Sequence, residues 1–450
     1  MPALPTVGRL VTDPAELSAY GRDWTTQWTS APIAAVLPGN AADVQAVVRW
    51  ANDHRAALVP SGGRTGLSGG AVAAHGEVVV SLDRMNRILS FDPVDRTLTV
   101  EAGVTTQAVQ DAAREHGLFY PVDFGSRGSS QIGGNVATNA GGIRVLRYGM
   151  TRDWVVGLKV VTGTGELLDL NRGLVKNATG YDFRHLFIGS EGTLGIVVEV
   201  TLRLTAPPPP QQVMLLALAG VADLMPVFEA LRTRVTLSAF ECFSDLALAH
   251  VVAAGGRRPF EGDAPMYALA EFDADEAAAL DAFDVVSSNG HAVDGIIARS
   301  DAQAAELWRL REGITESLSR HRPYKNDIAV RVADVPAFLE QAGALFAERY
   351  PGFDVVWFGH IGDGNLHVSV LPPENMERTA FTAACEDVTD ALGELLCRFG
   401  GSVSAEHGIG LLKKPYLHHS RSAAEVDFMR GIKRVFDPAG ILNPGKIFDP

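Results

Sequence analysis

Two kinds of period alternate along the chain. Glu77-Val78-Val79-Val80 and Thr97-Leu98-Thr99-Val100 are short β-branched runs that read as strands. Ala42 to Ala51 and Thr106 to His116 instead carry the apolar spacing of amphipathic helices. Glycine-rich loops stand between them, and the alternation predicts an α/β or α+β domain. Pro207-Pro208-Pro209-Pro210 ends this style. Consecutive prolines neither donate ladder hydrogen bonds nor continue a helix, so they predict a stiff extended connector and a domain boundary. Beyond it, Val213 to Leu218 and Met266 to Phe272 read as strands, each followed by an alanine-rich amphipathic helix. Asp223 and Pro226 interrupt the most apolar stretch, Val213 to Leu231, which therefore reads as a core strand and a helix rather than a membrane span. Ile441 to Lys446 returns to the turn-rich style of the first domain. The organisation expected is residues 1–206 as one domain, 207–420 as a second, and 421–450 as a segment packing back on the first.

Two further patterns carry candidate chemistry. Val355 to Val370 reads as strand, turn, strand, with Gly362-Asp363-Gly364-Asn365 supplying the turn. Such a hairpin brings His360, just before the turn, and His367, just after it, to one end. A single strand would put them on opposite faces, because their separation is odd. Ser402 to Gly408 is another strand-like run and sets Glu406 beside His407. Two imidazoles and a carboxylate suit zinc or a similar divalent ion with a position open for substrate, although lone histidines are more often structural. In Leu307 to Leu318, the residues Leu307, Leu310, Ile314 and Leu318 form one helical stripe. At about 100° per residue, Arg311 falls about 40° from Leu307, on the border of that stripe, with Thr315 one turn further on. A guanidinium so near buried surface needs an anion, and the helix alone favours a structural Asp or Glu.

Composition narrows the picture. The chain has 450 residues, 46% hydrophobic and 20% charged, which is the balance of a globular protein with room for two or three domains. With 39 Lys+Arg against 53 Asp+Glu, the formal charge is −14, which argues against a nucleic-acid partner. A local basic pocket for a small anion can coexist with that exterior. Cys242, Cys385 and Cys397 show neither zinc nor disulfide-framework spacing, and Met1 to Leu17 has no apolar core behind a basic start. Both observations predict a cytoplasmic protein without a secretory signal.

Glycine-rich segments supply the cofactor reading. Pro60-Ser61-Gly62-Gly63-Arg64-Thr65-Gly66-Leu67-Ser68-Gly69-Gly70 follows the apolar run Ala56 to Val59. Its glycines permit positive φ and can aim successive N–H groups at an anion, although the spacing matches neither the dinucleotide fingerprint nor the triphosphate loop. One such loop is as readily a surface turn. Ile132-Gly133-Gly134-Asn135-Val136-Ala137-Thr138-Asn139-Ala140-Gly141-Gly142 and Gly189-Ser190-Glu191-Gly192-Thr193-Leu194-Gly195-Ile196-Val197 change that balance, because small residues admit a flat ring.

These three segments resemble the FAD-binding domain of the vanillyl-alcohol oxidase superfamily over most of residues 30 to 205. The resemblance implies an α+β protein, with a two-subdomain FAD-binding domain and an α+β substrate (cap) domain built on an antiparallel sheet. It implies that Pro60, Ser61, Gly62, Gly63, Arg64, Thr65, Gly66 and Leu67 hold the pyrophosphate. Gly133, Gly134, Asn135, Thr138 and Asn139, with Glu191, Gly192, Gly195, Ile196 and Val197, would border the adenine and isoalloxazine portions, and Asn443 would join them. No histidine lies in Ser61 to Gly70, so non-covalent FAD is expected.

The second half resembles the substrate domain of the D-2-hydroxyglutarate and D-lactate dehydrogenase group. The resemblance makes His360, His367 and Glu406 metal ligands, zinc first among the ions, and His407 the general base. It makes Arg311, Thr315 and Lys325 the anchor for a distal carboxylate, although the loop before Lys325 is one residue shorter than in the group. It also makes Ser369 a substrate contact, standing where many relatives have Asn. Pro121 to Gly125 and Leu146-Arg147-Tyr148-Gly149 are similar to the hydroxyglutarate branch. The expected reaction is therefore FAD-dependent, metal-assisted oxidation of D-2-hydroxyglutarate to 2-oxoglutarate, with His407 taking the hydroxyl proton and the C2 hydride passing to flavin. A D-lactate, D-malate or glycolate dehydrogenase is the nearest alternative, and a non-redox flavin transferase of the alkyl-glycerone-phosphate synthase type stands further off. A flavin-binding interaction protein would leave the grouped His360, His367, Glu406 and His407 unexplained. Expected partners are the small D-2-hydroxy acid and an external electron acceptor (quinone, electron-transfer flavoprotein or cytochrome), with no nucleic acid and no transmembrane segment. The oligomeric state is open, a homodimer included.

Overall fold

The computed structural model describes residues 4–449. They form two compact units. The first comprises the chain up to Gly142, Tyr148–Pro207 and everything from Glu406 onward; the second comprises Ile143–Arg147 and Pro208–Ala405.

The first unit contains two sheets. Strands β1 (Arg9–Val11), β2 (Ala34–Leu37), β3 (Leu58–Ser61) and β4 (Val78–Ser81) run in the order β1-β2-β4-β3. The pairs β2–β4 and β3–β4 are parallel. Val78, Val79 and Val80 are all fully buried, as a continuous apolar run must be in a parallel strand covered on both faces. The helix Ala41–His54 starts where the Asn40 side chain accepts the Asp43 N–H, and it stops at Arg55, which has left-handed backbone at φ 51°. Its buried face is Val44, Val47, Val48 and Ala51, the spacing seen in the sequence. Strands β5 (Ile88–Asp92), β6 (Thr97–Glu101), β7 (Val155–Thr162), β8 (Leu167–Leu170) and β9 (Gly195–Arg203) form an antiparallel sheet in the order β5-β6-β9-β7-β8. The C-terminal segment brings the helix Ala423–Phe436 and then pairs with β3, where the Leu58 N–H donates to Ile441 O and the Asn443 N–H to Leu58 O.

The second unit is one seven-stranded antiparallel sheet with helices. Its strands are β10 (Gln211–Leu218), β11 (Leu237–Ser244), β12 (Met266–Asp273), β13 (Ala292–Ile297), β14 (Tyr324–Ala329), β15 (Asp354–Gly359) and β16 (Asn365–Leu371). They are ordered β13-β10-β12-β11-β15-β16-β14. The helix Asp301–Ser319 buries Leu307, Leu310, Ile314 and Leu318 in a core shared with Phe243, Val356 and Phe358 of the sheet. No helix among the described residues is long and apolar enough to cross a membrane.

Three features differ from the sequence expectation. The chain re-enters the first unit at Glu406, not after residue 420. Ile143–Arg147 belongs to the second unit, held there by Arg144 Nε on Glu271 at 2.7 Å and by the Arg147–Asp273 ion pair. Ser402 to Gly408 is not a strand, and only Ser402 makes a bridge, to Ala329. The Ser402 hydroxyl accepts the Ser404 N–H at 3.2 Å, a local bond that competes with ladder pairing.

Candidate functional site

The geometry of the second unit's site follows from strand register. Phe243 of β11 pairs with Phe358 of β15, Phe358 with His367 of β16, and His367 with Asp327 of β14. Paired residues share a face, and so do residues two apart along one strand. Glu241, Lys325 and Ser369 therefore lie on the face that carries His367 and Asp327, with Lys325 and Ser369 paired directly. His360 opens the turn between β15 and β16, and its ring centroid is 5.3 Å from that of His367. The turn is fixed from outside the hairpin by the Gly362 N–H donating to Phe240 O at 2.9 Å.

Each imidazole has a buried carboxylate at its Nδ1 side. His360 Nδ1 is 2.8 Å from Glu241 Oε1. His367 Nδ1 is 3.7 Å from Asp327 Oδ1, and Asp327 also accepts from Asn365 Nδ2 at 2.9 Å and from the Ala405 N–H at 3.2 Å. A carboxylate within hydrogen-bond reach of Nδ1, as Glu241 is for His360, favours the tautomer whose lone pair is on Nε2 and open to a divalent ion. Ala405 is followed directly by Glu406 and His407, the opening residues of the next segment of the first unit, where His407 Nε2 is 3.7 Å from Glu406 Oε1. The two imidazoles of the second unit, with their carboxylate partners, are donors of the kind that suit zinc or a similar ion.

The anion-anchor candidates fall in unlike surroundings. Arg311 is 6% exposed, lies 5.0 Å over the Phe358 ring and sits with Nη2 2.9 Å from Glu241 Oε2. The structural carboxylate suggested by the helix alone is thus present. The contact lacks hydrogen-bond alignment, and neither Nε nor Nη2 of Arg311 has an aligned acceptor among the described residues. Thr315 lies on the exposed side of the helix. Lys325 is exposed, yet the packing around it lowers its ammonium below the ordinary lysine value by desolvation. Ser369 is buried at 2% exposure.

The first unit offers a cradle rather than a cluster of charge. Ser61 Oγ, Gln131 Oε1 and Asn443 Oδ1 are buried without a hydrogen-bond partner among the described residues. A Cβ on Gly134 would meet nothing within 4 Å, so the chain leaves open space there. Orphaned polar atoms beside glycine-lined space fit a ligand with both donors and acceptors, such as a flavin dinucleotide. Gly63 and Gly195 serve packing instead, because a Cβ would come within 2.0 Å of Ser129 O and 2.4 Å of Val160 Cγ1 respectively. Gly133 is similar, with Ala102 Cβ at 2.7 Å, and Gly192 meets Pro60 at 3.1 Å. Asn135 donates to Thr106 Oγ1, the Thr138 hydroxyl donates to Gly134 O, and Asn139 Oδ1 accepts the Arg152 N–H. Ile196 and Val197 are buried in β9. Arg64 pairs with Asp83 at 3.1 Å, and Gly66 faces Asp23.

Glu191 has different work from the other residues of its segment. Its carboxylate accepts the Ile409 and Gly410 N–H groups, each at 2.7 Å, so it clamps the backbone just after His407. Burial raises its carboxyl above the usual range, and the two N–H donors oppose that rise. Asn443 Nδ2 joins the same region to the first loop by donating to Glu191 O and Gly70 O. Gln131, Asp83 and Glu241 were not singled out by the sequence. Gln131 abuts the glycine segment, which is a weak signal; Asp83 and Glu241 carry none, because their roles depend on tertiary partners.

Comparison with known proteins gives a consistent picture. A family model described as an FAD binding domain matches residues 32–171, and one described as the C-terminal domain of FAD linked oxidases matches residues 207–447. The D-2-hydroxyglutarate dehydrogenase of Xanthomonas citri pv. viticola is 62% identical, over 98% of this chain and 94% of its own length. The protein of the same name from Stutzerimonas stutzeri is 54% identical, over 98% and 96%. A crystal structure of p-cresol methylhydroxylase superposes with a TM-score of 0.76 at 17% identity, covering 98% of this chain and 94% of that one, a likeness of fold alone.

Proposed function

This chain belongs to the FAD-linked oxidase family, and on that premise we propose that it oxidises D-2-hydroxyglutarate to 2-oxoglutarate using non-covalent FAD and a divalent ion, zinc first. The observation that carries the reading is a hairpin that brings His360 and His367 together, each with a buried carboxylate on its Nδ1 side, and Lys325 on the sheet face of His367. Ser61, Gln131 and Asn443 with the glycine-rich loops would hold FAD, and His360, His367 and Glu406 would hold the ion. When bound, FAD supplies the acceptor for the C2 hydride and the ion supplies Lewis acidity at the substrate hydroxyl.

This chain's own residues do the rest. His407 takes the hydroxyl proton as the C2–H bond breaks, and the Glu191 clamp on Ile409 and Gly410 holds the loop that bears it. Lys325, Arg311 and Thr315 bind the distal carboxylate, with Ser369 beside Lys325 contacting the substrate's polar groups. The Lys325 ammonium, lowered by desolvation, would gain from an arriving carboxylate, and a site built to pair a charge rejects substrates without one. The electron acceptor that reoxidises the flavin is external. A cytoplasmic setting is supported by three cysteines whose spacing is not that of a disulfide framework.

Anaerobic flavin bleaching tests the reading, using D-2-hydroxyglutarate, D-lactate, D-malate and their L-isomers before and after chelation. Rapid bleaching by D-2-hydroxyglutarate that chelation abolishes is the expected result. Bleaching by D-lactate alone would sink the dicarboxylate anchor, and a flavin untouched by every acid would sink the dehydrogenase.

A further inference from the structure

Glu241 lies at 0% exposure on β11, and its two oxygens are divided between two functional candidates. Oε1 is 2.8 Å from His360 Nδ1, and Oε2 is 2.9 Å from Arg311 Nη2. A carboxylate buried this deeply is tolerable only with compensating partners, and the guanidinium supplies the opposite charge. Arg311 is itself buried, so neither group can be removed without stranding the other.

We propose that Glu241 is a positioning residue that couples the metal-side imidazole of His360 to the anion-side guanidinium of Arg311. The proposal rests on the assignment of His360 as a metal ligand and Arg311 as a carboxylate anchor. Through Oε1, Glu241 keeps the proton of His360 on Nδ1 and so commits Nε2 to the ion. Through Oε2, it holds Arg311 by charge without aligning with its donors, so Nε and Nη2 retain hydrogen-bonding capacity for a substrate carboxylate.

The coupling predicts that one change at position 241 moves two readouts together. A glutamine can accept from His360 or face Arg311 with its oxygen, but its amide then sets donor against donor at the other partner. The test uses the full-length flavoprotein with Glu241→Gln and Glu241→Ala. Zinc affinity is measured by competition with a chromogenic chelator, and KM is measured for D-2-hydroxyglutarate and D-lactate. In Glu241→Ala, zinc affinity is expected to fall about ten- to a hundred-fold. In both variants, KM for the dicarboxylate should rise more than KM for D-lactate, with flavin content unchanged. A folded, flavin-replete variant that holds zinc as wild type does and keeps the same KM ratio overturns the proposal. If wild-type protein holds no zinc, the metal assignment fails on its own account. Nitrogen NMR of His360 in metal-free protein then decides on Glu241: loss of the Nδ1–H tautomer in Glu241→Ala supports it, and an unchanged tautomer overturns it.

Discussion

The two units build their sites from different materials. In the first, the cradle consists of neutral orphaned atoms of Ser61, Gln131 and Asn443 beside open, glycine-lined space. In the second, Glu241, Asp327 and His367 stand on one sheet face, His360 opens the turn beside His367, and Arg311 reaches Glu241 from a helix laid over the sheet. A cradle made of backbone is sensitive to added volume, whereas a site made of side chains is sensitive to altered charge. The first should therefore fail by shape and the second by electrostatics.

The largest effect expected belongs to the charged site. His360→Ala should slow turnover by about a thousandfold, near 4 kcal/mol in barrier, while flavin absorbance per folded protein stays constant. Loss of flavin in that variant would break the comparison. Next comes a charge buried in the first unit. Lys446 donates to Val72 O at 2.8 Å, and desolvation pulls its ammonium down from 10.5 to about 8. Below pH 8 the lysine is charged in both folded and unfolded chains and its burial penalty is complete. Between pH 8 and 10.5 the unfolded chain binds more protons, so stability should rise with pH by up to roughly 3 kcal/mol relative to Lys446→Met. Urea unfolding of both proteins from pH 7 to 10 checks the sign; parallel curves would contradict it.

Gly63→Ala is the test of shape. The added Cβ would lie 2.0 Å from Ser129 O, a backbone atom that cannot rotate away. Destabilisation of about 1–3 kcal/mol with partial loss of flavin is expected, and zinc bound per folded protein should not change. The smallest effect is on selectivity. Lys325→Met should raise KM for D-2-hydroxyglutarate about tenfold and leave D-lactate nearly untouched, as steady-state assays with both acids would show.

The same contrast governed what could be read in the sequence. Glycine segments and the helical stripe Leu307, Leu310, Ile314, Leu318 are local patterns, and the structure places all four stripe residues in the core. The hairpin that brings His360 and His367 together is local too, and it is present. Glu241 and Asp327 are not legible in the sequence, because a carboxylate inside a strand reads as a solvated position until the neighbouring strands are known. Glu191 sat in a recognised segment, but its attachment to Ile409 and Gly410 spans more than two hundred residues of sequence. The return of the chain at Glu406 left no mark, since neither prolines nor a change of composition stands there.

Ile143–Arg147 gives the second unit a piece of chain from far upstream. Arg144 and Arg147 on that piece neutralise Glu271 and Asp273, and Glu271 is 4% exposed. A genetic crossover at the proline run would deliver the later strands without these arginines and strand a buried acid. The two halves are therefore poor cassettes for recombination. Descendants of this gene should inherit the short upstream piece and the β12 acids as one linked trait, however far apart they lie in the coding sequence.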